Sequence, residues 1–235
     1  MNSGRYERQM LLPQIGESGQ ARLSAASALV VGCGGLGSTL LYDLCSVGVG
    51  RIGFCDGDAV SRSNLNRQFL HTPRDIGRQK VQSAYEKLSA FAPELTLEPY
   101  PFYLTRENAP ELVGRYDLVV LAVDSLPARL IANEACVGKR VPLIDGGING
   151  LHGSLLTVRP GKTACLHCLY GDVPPPQGPI ASFAPVVSMI SAMEAQAAAN
   201  VLLGLDNPSD GTMILLDGAH LTTERVRVRR REDCP

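Results

Sequence analysis

The sequence contains no tryptophan, and aromatic residues make up only 5% of it, too few to line a track on which single-stranded nucleic acid would stack. It also lacks net charge: 22 Lys and Arg stand against 23 Asp and Glu, leaving −1. No global field therefore favours nucleic acid, anionic lipid or a polycation, and a charged partner has to be gripped locally. No apolar run approaches the roughly 20 residues of a membrane-spanning helix. The opening segment, Met1 to Met10, has no hydrophobic stretch of the secretory kind. The expectation is a cytoplasmic protein with no membrane and no nucleic-acid partner. Seven cysteines, an odd number in an ordinary composition, argue against a disulfide scaffold and for reduced thiols or metal ligands. What remains is a globular chain of 235 residues with 45% hydrophobic content, enough for a sizeable core.

Strand and helix alternate through the first half. Ala28 to Val31 is a β-rich run ending in glycines, Ser38 to Val47 has helical character, and Arg51 to Cys55 is a second strand closing on Asp56. A helix over Gly77 to Phe91 follows, with Val81, Ala84, Tyr85 and Leu88 at helical spacing. Then come a strand at Leu95 to Tyr100, a buried strand at Asp117 to Val123, a helix at Arg129 to Val137 and a short strand at Val141 to Ile144. Continuous apolar strands between helices predict a Rossmann-like α/β fold, a mostly parallel sheet covered on both faces.

After Gly146-Gly147 the style changes. Leu151 to Val158 and Thr222 to Arg230 read as strands with one wet face, an antiparallel extension, with a long buried Ala-rich helix at Val186 to Leu203 between them. The lead-in, Gly171 to Pro185, holds five prolines and reads as a covering loop. The expected organisation is one domain over 1–235: a helical arm (1–26), a nucleotide-binding part (27–147) and a partner-binding part (148–235) with the covering loop at 171–185.

Gly32-Cys33-Gly34-Gly35-Leu36-Gly37 matches G-x-G-x-x-G between a strand and a helix. Glycine allows the tight turn and the close approach of phosphate, and the helix N-terminus offers free N–H groups to an anion. Gly32, Gly34, Gly35 and Gly37 are therefore candidate nucleotide-binding positions. Asp56, 19 positions beyond Gly37, stands where an acid can bond ribose hydroxyls. The loop alone does not separate NAD from ATP, and a P-loop is excluded because Ser38 stands where its lysine belongs. The run Asp56 to Lys80 then brings Asn64, Arg67, Gln68 and Lys80. A dehydrogenase needs no such set, whereas nucleotidyl transfer does, because charge develops on phosphate oxygens as pyrophosphate leaves. Lys80 is one of only four lysines against eighteen arginines.

RYERQ at Arg5 to Gln9, the GCGGLG loop, FCDGDAV at Phe54 to Val60, SNLNRQ at Ser63 to Gln68, GRQK at Gly77 to Lys80, VDS at Val123 to Ser125 followed by Arg129, and CLHC at Cys165 to Cys168 occur in this order. In that order the chain resembles the ThiF/MoeB/HesA family, bacterial relatives of ubiquitin-activating enzymes, over nearly its full length. The resemblance implies an adenylyltransferase that uses ATP and Mg²⁺ to activate the C-terminal glycine carboxylate of a small ubiquitin-like sulfur-carrier protein for thiamine or molybdopterin synthesis. It implies that Asp56 holds the ribose, that Asp58 and Gln68 belong to the nucleotide site, and that Asn64, Arg67 and Lys80 hold the phosphates. Asp124 would position Mg²⁺. Arg8 would reach into the neighbouring protomer of a homodimer as an arginine finger. Read from the sequence without the family, Asp124 also fits a helix N-cap.

Cys165-Leu166-His167-Cys168 is half of a tetrahedral thiolate zinc site. The resemblance places the second pair near the C-terminus, where Cys234 stands, while a partner two residues further on lies beyond Pro235. Three thiolates, Cys165, Cys168 and Cys234, are then available; either His167 or another group completes the shell or the site is vacant, and partial zinc occupancy or none is expected. Family members often carry a cysteine in the covering loop that links to the carrier; this loop has none, with Gln177 near the place, so covalent chemistry there is not expected. Cys33, Cys45, Cys55 and Cys136 read as buried, inert thiols. Arg225 to Arg231, alternating Arg and Val, reads as a charged edge strand, and His71, His152 and His220 receive no role. The alternatives are a family enzyme acting on another carboxylate or a transfer-RNA nucleoside, an NAD-dependent oxidoreductase using the same glycine loop, and a non-catalytic binding subunit.

Overall fold

The computed structural model describes residues 3–171, 173–174, 178 and 180–234. Two helices, α1 (Ser3–Met10) and α2 (Gly16–Ala25), precede β1 (Ser27–Val31), α3 (Gly35–Val47) and β2 (Arg51–Cys55). Then come α4 (Lys80–Phe91), β3 (Thr96–Tyr100), α5 (Ala109–Val113), β4 (Leu118–Leu121), α6 (Leu126–Lys139) and β5 (Leu143–Asn149). The last part holds β6 (His152–Val158), α7 (Leu166–Tyr170), α8 (Ala184–Leu203), β7 (Thr212–Asp217) and β8 (Thr222–Arg227). One eight-stranded sheet runs β3-β2-β1-β4-β5-β6-β7-β8. Pairing is parallel from β3 to β5 and antiparallel from β5 to β8.

The period of two divides the parallel strands between two cores. Ala28, Val30, Ile52, Phe54, Val120 and Ile144 face the layer of α3, α4 and α8, meeting Leu40, Leu41, Leu88 and Ile190. Leu29, Val31, Cys55, Val119, Leu121 and Leu143 face α5, α6 and α7, meeting Leu112, Ala132, Cys136 and Leu166. Burial on both faces is why these strands carry no polar alternation. Strand order turns back between β1 and β4, so their carboxyl ends open a crevice.

Four sequence expectations need correction. β5 does not stop before Gly146-Gly147 but runs through them, in register with β6 from Leu143↔Val158 to Asn149↔His152. The segment Thr212–Asp217, unassigned from sequence, is the strand that joins β6 to β8. β8 ends at Arg227, opposite Thr212 at the start of β7, and all six of its residues are exposed, not one face only. α8 is by length and composition apolar enough to cross a membrane, contrary to the reading that no such run exists. Here it packs on α3, β5 and β6.

Candidate active site

The crevice at the β1–β4 switch is a cavity of about 590 Å³, within the range that holds a nucleotide-sized ligand. Gly32 turns from β1 into the glycine loop at φ +105°, and a Cβ there would lie 2.5 Å from the Ala122 carbonyl oxygen. Only glycine fits. Gly34 and Gly35 line the cavity. Gly37 lies behind the loop, where a Cβ would fall 2.0 Å from the Gly32 carbonyl oxygen, so its part is close strand–helix packing. The free N–H groups at the start of α3 can only donate, and with the positive end of the helix dipole they favour an anion there.

Asp56, 8% exposed at the end of β2, braces the loop it was expected to complement. Its Oδ2 accepts the Cys33 N–H at 2.9 Å and its Oδ1 the Asp58 N–H at 2.8 Å. Each oxygen keeps a lone pair for a ribose hydroxyl. Lys80, the first residue of α4, is buried, with Nζ 2.7 Å from Asp58 Oδ2 and 3.8 Å from Asp56 Oδ2. Asp58 also accepts a hydrogen bond from Tyr103. Partial burial works to raise the Asp58 pKa, but the bonds from Lys80 and Tyr103 outweigh it and hold the carboxyl below its ordinary value.

Asn64 accepts the Ser61 N–H at 3.1 Å through Oδ1, which leaves its amide hydrogens unused among the described residues. Arg67 lies against Gly35 and donates from Nη1 to the Ser63 carbonyl at 3.0 Å and to Asn66 at 2.9 Å. Gln68 is 4% exposed and its Oε1 has no hydrogen-bond partner among the described residues, an acceptor left over beside Gly34. Asp124 follows β4, exposed, with no partner among the described residues. It is not the helix cap; Ser125 is, accepting the Ala128 N–H at 3.5 Å.

Asp56, Asp58, Asn64, Arg67, Gln68, Lys80 and Asp124 thus line one cavity with Gly32, Gly34 and Gly35. Arg8 is exposed on α1 and does not line it. The three cysteines form a separate cluster, with Cys165–Cys168 and Cys165–Cys234 Sγ separations of 3.9 and 3.6 Å. Zinc–sulfur bonds of ~2.3 Å in a tetrahedron space sulfurs about 3.8 Å apart, so the donor set and its spacing fit zinc. The Arg231 N–H points at Cys168 Sγ from 3.4 Å. Of the covering loop, Ile180 and Ser182 line the cavity, while Gln177 lies outside the described residues.

Three contributors received no role from sequence, although Arg129 stands in the motif set. His71, given no role, is buried and bonds Ser83 Oγ at 2.9 Å and the Cys33 carbonyl at 3.1 Å, supporting the glycine loop from behind. Burial lowers its pKa, favouring the neutral imidazole. Tyr103 is the aromatic side chain on the cavity wall. Arg129, 7% exposed, binds Asp145 and the Val123 carbonyl. Burial opposes its charge, yet Asp145, Tyr170 and Glu194 together raise its pKa.

Residues 6–235 match the ThiF family. A sulfur carrier protein adenylyltransferase of Thermus thermophilus is 40% identical over 242 residues, covering 98% of this chain and 89% of that protein. The adenylyltransferase and sulfurtransferase MOCS3 of Mus musculus is 37% identical over 239 residues, covering 98% of this chain and 51% of the relative. This chain spans about half the length of such MOCS3 relatives. Among solved structures, E. coli MccB with ATP superposes at a TM-score of 0.87 and 23% identity, covering 99% of this chain and 74% of that one. The MccB complex with N-formylated MccA gives 0.84 and 24%, over 99% and 74%. These last two show a shared fold.

Proposed function

Because this chain belongs to the ThiF family, we propose that it is an ATP-dependent adenylyltransferase acting on the C-terminal glycine carboxylate of a small ubiquitin-like sulfur-carrier protein, in thiamine- or molybdopterin-type sulfur transfer. The observation that carries this reading is the gathering of Asn64, Arg67, Lys80 and Asp124 around the glycine loop in one cavity. Hydride transfer has no use for them. Phosphoryl chemistry does, since positioning and charge neutralisation supply most of its catalysis.

In the proposed reaction a carboxylate oxygen of the carrier attacks the α-phosphorus of ATP. A C–O–P linkage forms, the bond to the bridging oxygen of the β-phosphate breaks, and pyrophosphate leaves with the electron pair. The attacking carboxylate is already ionised, so no general base is needed. Lys80, Arg67 and the unused amide hydrogens of Asn64 would meet the phosphate charge, with Lys80 trading part of its contact with Asp58 for phosphate oxygen. Asp124, a hard oxygen donor without a partner among the described residues, would hold Mg²⁺, which when bound neutralises part of the triphosphate charge. Cys165, Cys168 and Cys234 would hold zinc as a structural ion joining α7 to the C-terminal segment.

The reading includes a homodimer in which each Arg8 enters the partner's cavity. Exposure of Leu11 (75%), Leu12 (51%) and Phe69 (54%) supports an apolar contact between copies. Incubation with ATP and each candidate carrier, followed by mass spectrometry, should give a carrier bearing adenylate, with carrier-stimulated ATP–pyrophosphate exchange. Nicotinamide reduction without exchange would overturn the assignment, and adenylation of a free peptide carboxylate or a transfer RNA alone would redirect it.

A further inference from the structure

The nucleotide cavity is underlain by a buried polar group that none of the proposed chemistry uses. Arg129 leaves the first turn of α6 and divides its fork. Nη2 donates to the Val123 carbonyl at 2.6 Å, and Nη1 donates to Asp145 Oδ1 on β5. The other oxygen of Asp145 accepts from Tyr170 Oη at 3.3 Å, and Tyr170 is the last residue of α7, the helix that carries Cys168 and is capped by Cys165. Glu194 of α8, fully buried, completes the surroundings.

The place where Arg129 grips is informative. The last bond of β4's line to its neighbour is Ala122 N–H to the Val31 carbonyl at 2.8 Å, and α6 begins at Leu126. Between them the Val123–Asp124 peptide receives no backbone hydrogen bond among the described residues. Its carbonyl is held by a side chain instead. A planar guanidinium can satisfy that carbonyl and a carboxylate together in a fixed geometry; an ammonium on a flexible stem cannot. Rotation of this one peptide would swing the Asp124 carboxylate, and displacement of a reacting group by about 1 Å can cost 10²-fold in rate.

We propose that Arg129 is a positioning residue that locks the Val123–Asp124 peptide and so aims Asp124 into the cavity, with Asp145 and Tyr170 fixing Arg129 from α7's side. The role of Asp124 in this statement rests on the adenylyltransferase reading; the locking does not. Amide hydrogen exchange of the ligand-free protein tests the lock directly. Arg129→Lys should speed exchange of the Ala122 amide by about tenfold or more, and Tyr170→Phe, which removes one bond and no volume, by roughly threefold. In ATP–pyrophosphate exchange, Arg129→Lys should raise the Mg²⁺ needed for half-maximal rate by about tenfold while ATP saturation stays within roughly threefold. Should Arg129→Lys fail to fold, the Tyr170→Phe result decides alone. Wild-type protection of Ala122 in a folded variant, or a loss of ATP affinity equal to the loss of rate, overturns the proposal. A wild-type protein that exchanges no pyrophosphate would sink the functional reading while leaving the hydrogen-exchange result to judge the lock.

Discussion

At the scale of single residues, the candidate site is a matter of charges held in wait. Lys80 is a buried ammonium, 8% exposed at its side chain, and its partners are Asp56 and Asp58, the two carboxylates that follow β2. Replacing it by alanine removes a buried cation of the cavity wall and leaves Asp56, itself 8% exposed, without its countercharge. Lys80→Ala and Asp124→Ala should each lose at least about 100-fold in carrier-dependent ATP–pyrophosphate exchange, the cost of deleting one transition-state charge stabiliser. Near-normal exchange in either variant means the residue has another role. Glu194 makes a second prediction. Complete burial, and the nearby Asp145, raise its pKa well above the ordinary value, while Arg129 and the Gly146 amide pull the other way. The folded chain therefore keeps a proton that the unfolded chain releases once pH passes about 4.3, and folding is penalised increasingly as pH rises from there toward the folded pKa. Glu194→Gln abolishes that penalty. Thermal melts should show the variant gaining at least about 3 °C on the wild type at pH 8, with the advantage shrinking at pH 5; an equal difference at both values would refute it.

At the scale of elements, the β1–loop–α3 unit was readable because everything it needs is local: a strand, four glycines, a helix and an acid at the end of the next strand. Gly32 shows why the pattern is fixed. With φ at +105° and the Ala122 carbonyl 2.5 Å from a Cβ, Gly32→Ala forces both a strained backbone and a clash with β4's extension. We expect a loss of about 2–4 kcal/mol, seen as a lower urea midpoint with an unchanged slope. An unchanged midpoint would mean that the loop relaxes freely. What sequence could not reveal is partnership over long separations. β7 has no alternation of its own to announce it, because most of its residues are only half-buried between β6 and β8. Arg129, Asp145, Tyr170 and Glu194 look ordinary one by one, and only the return of α7 and α8 to the sheet brings them together. His71 likewise has no mate at ligand or base spacing, since its partners are a backbone carbonyl and a serine. The spacing-encoded part of the site was legible, and the support beneath it was not.

At the scale of the whole molecule, one residue of the motif set stands apart. Arg8 is exposed on α1, outside the cavity that gathers Asn64, Arg67, Lys80 and Asp124. Either it serves no active site, or it serves one on a second copy, and the exposed apolar side chains that follow it, Leu11 and Leu12, favour the second. Wild-type activity in Arg8→Ala would mean the first, and mixing tells a role across the interface from a role within the chain. Arg8→Ala and Lys80→Ala proteins should each be nearly inactive. If Arg8 acts across a two-fold interface, a heterodimer of the two variants has one site that lacks both groups and one that has both, since the Lys80→Ala protomer still donates its Arg8 to the intact cavity of its partner. Random re-pairing makes half of the dimers mixed, each with one working site of two, so activity should return to about a quarter of wild type. If Arg8 acts within its own chain, every site in the mixture lacks one group, and unmixing and remixing the two proteins restores nothing. Carrier-dependent pyrophosphate exchange before and after mild denaturation and refolding of the equimolar mixture reads the difference, and sedimentation of the wild-type protein as a monomer at assay concentration would remove the interface on which the recovery depends.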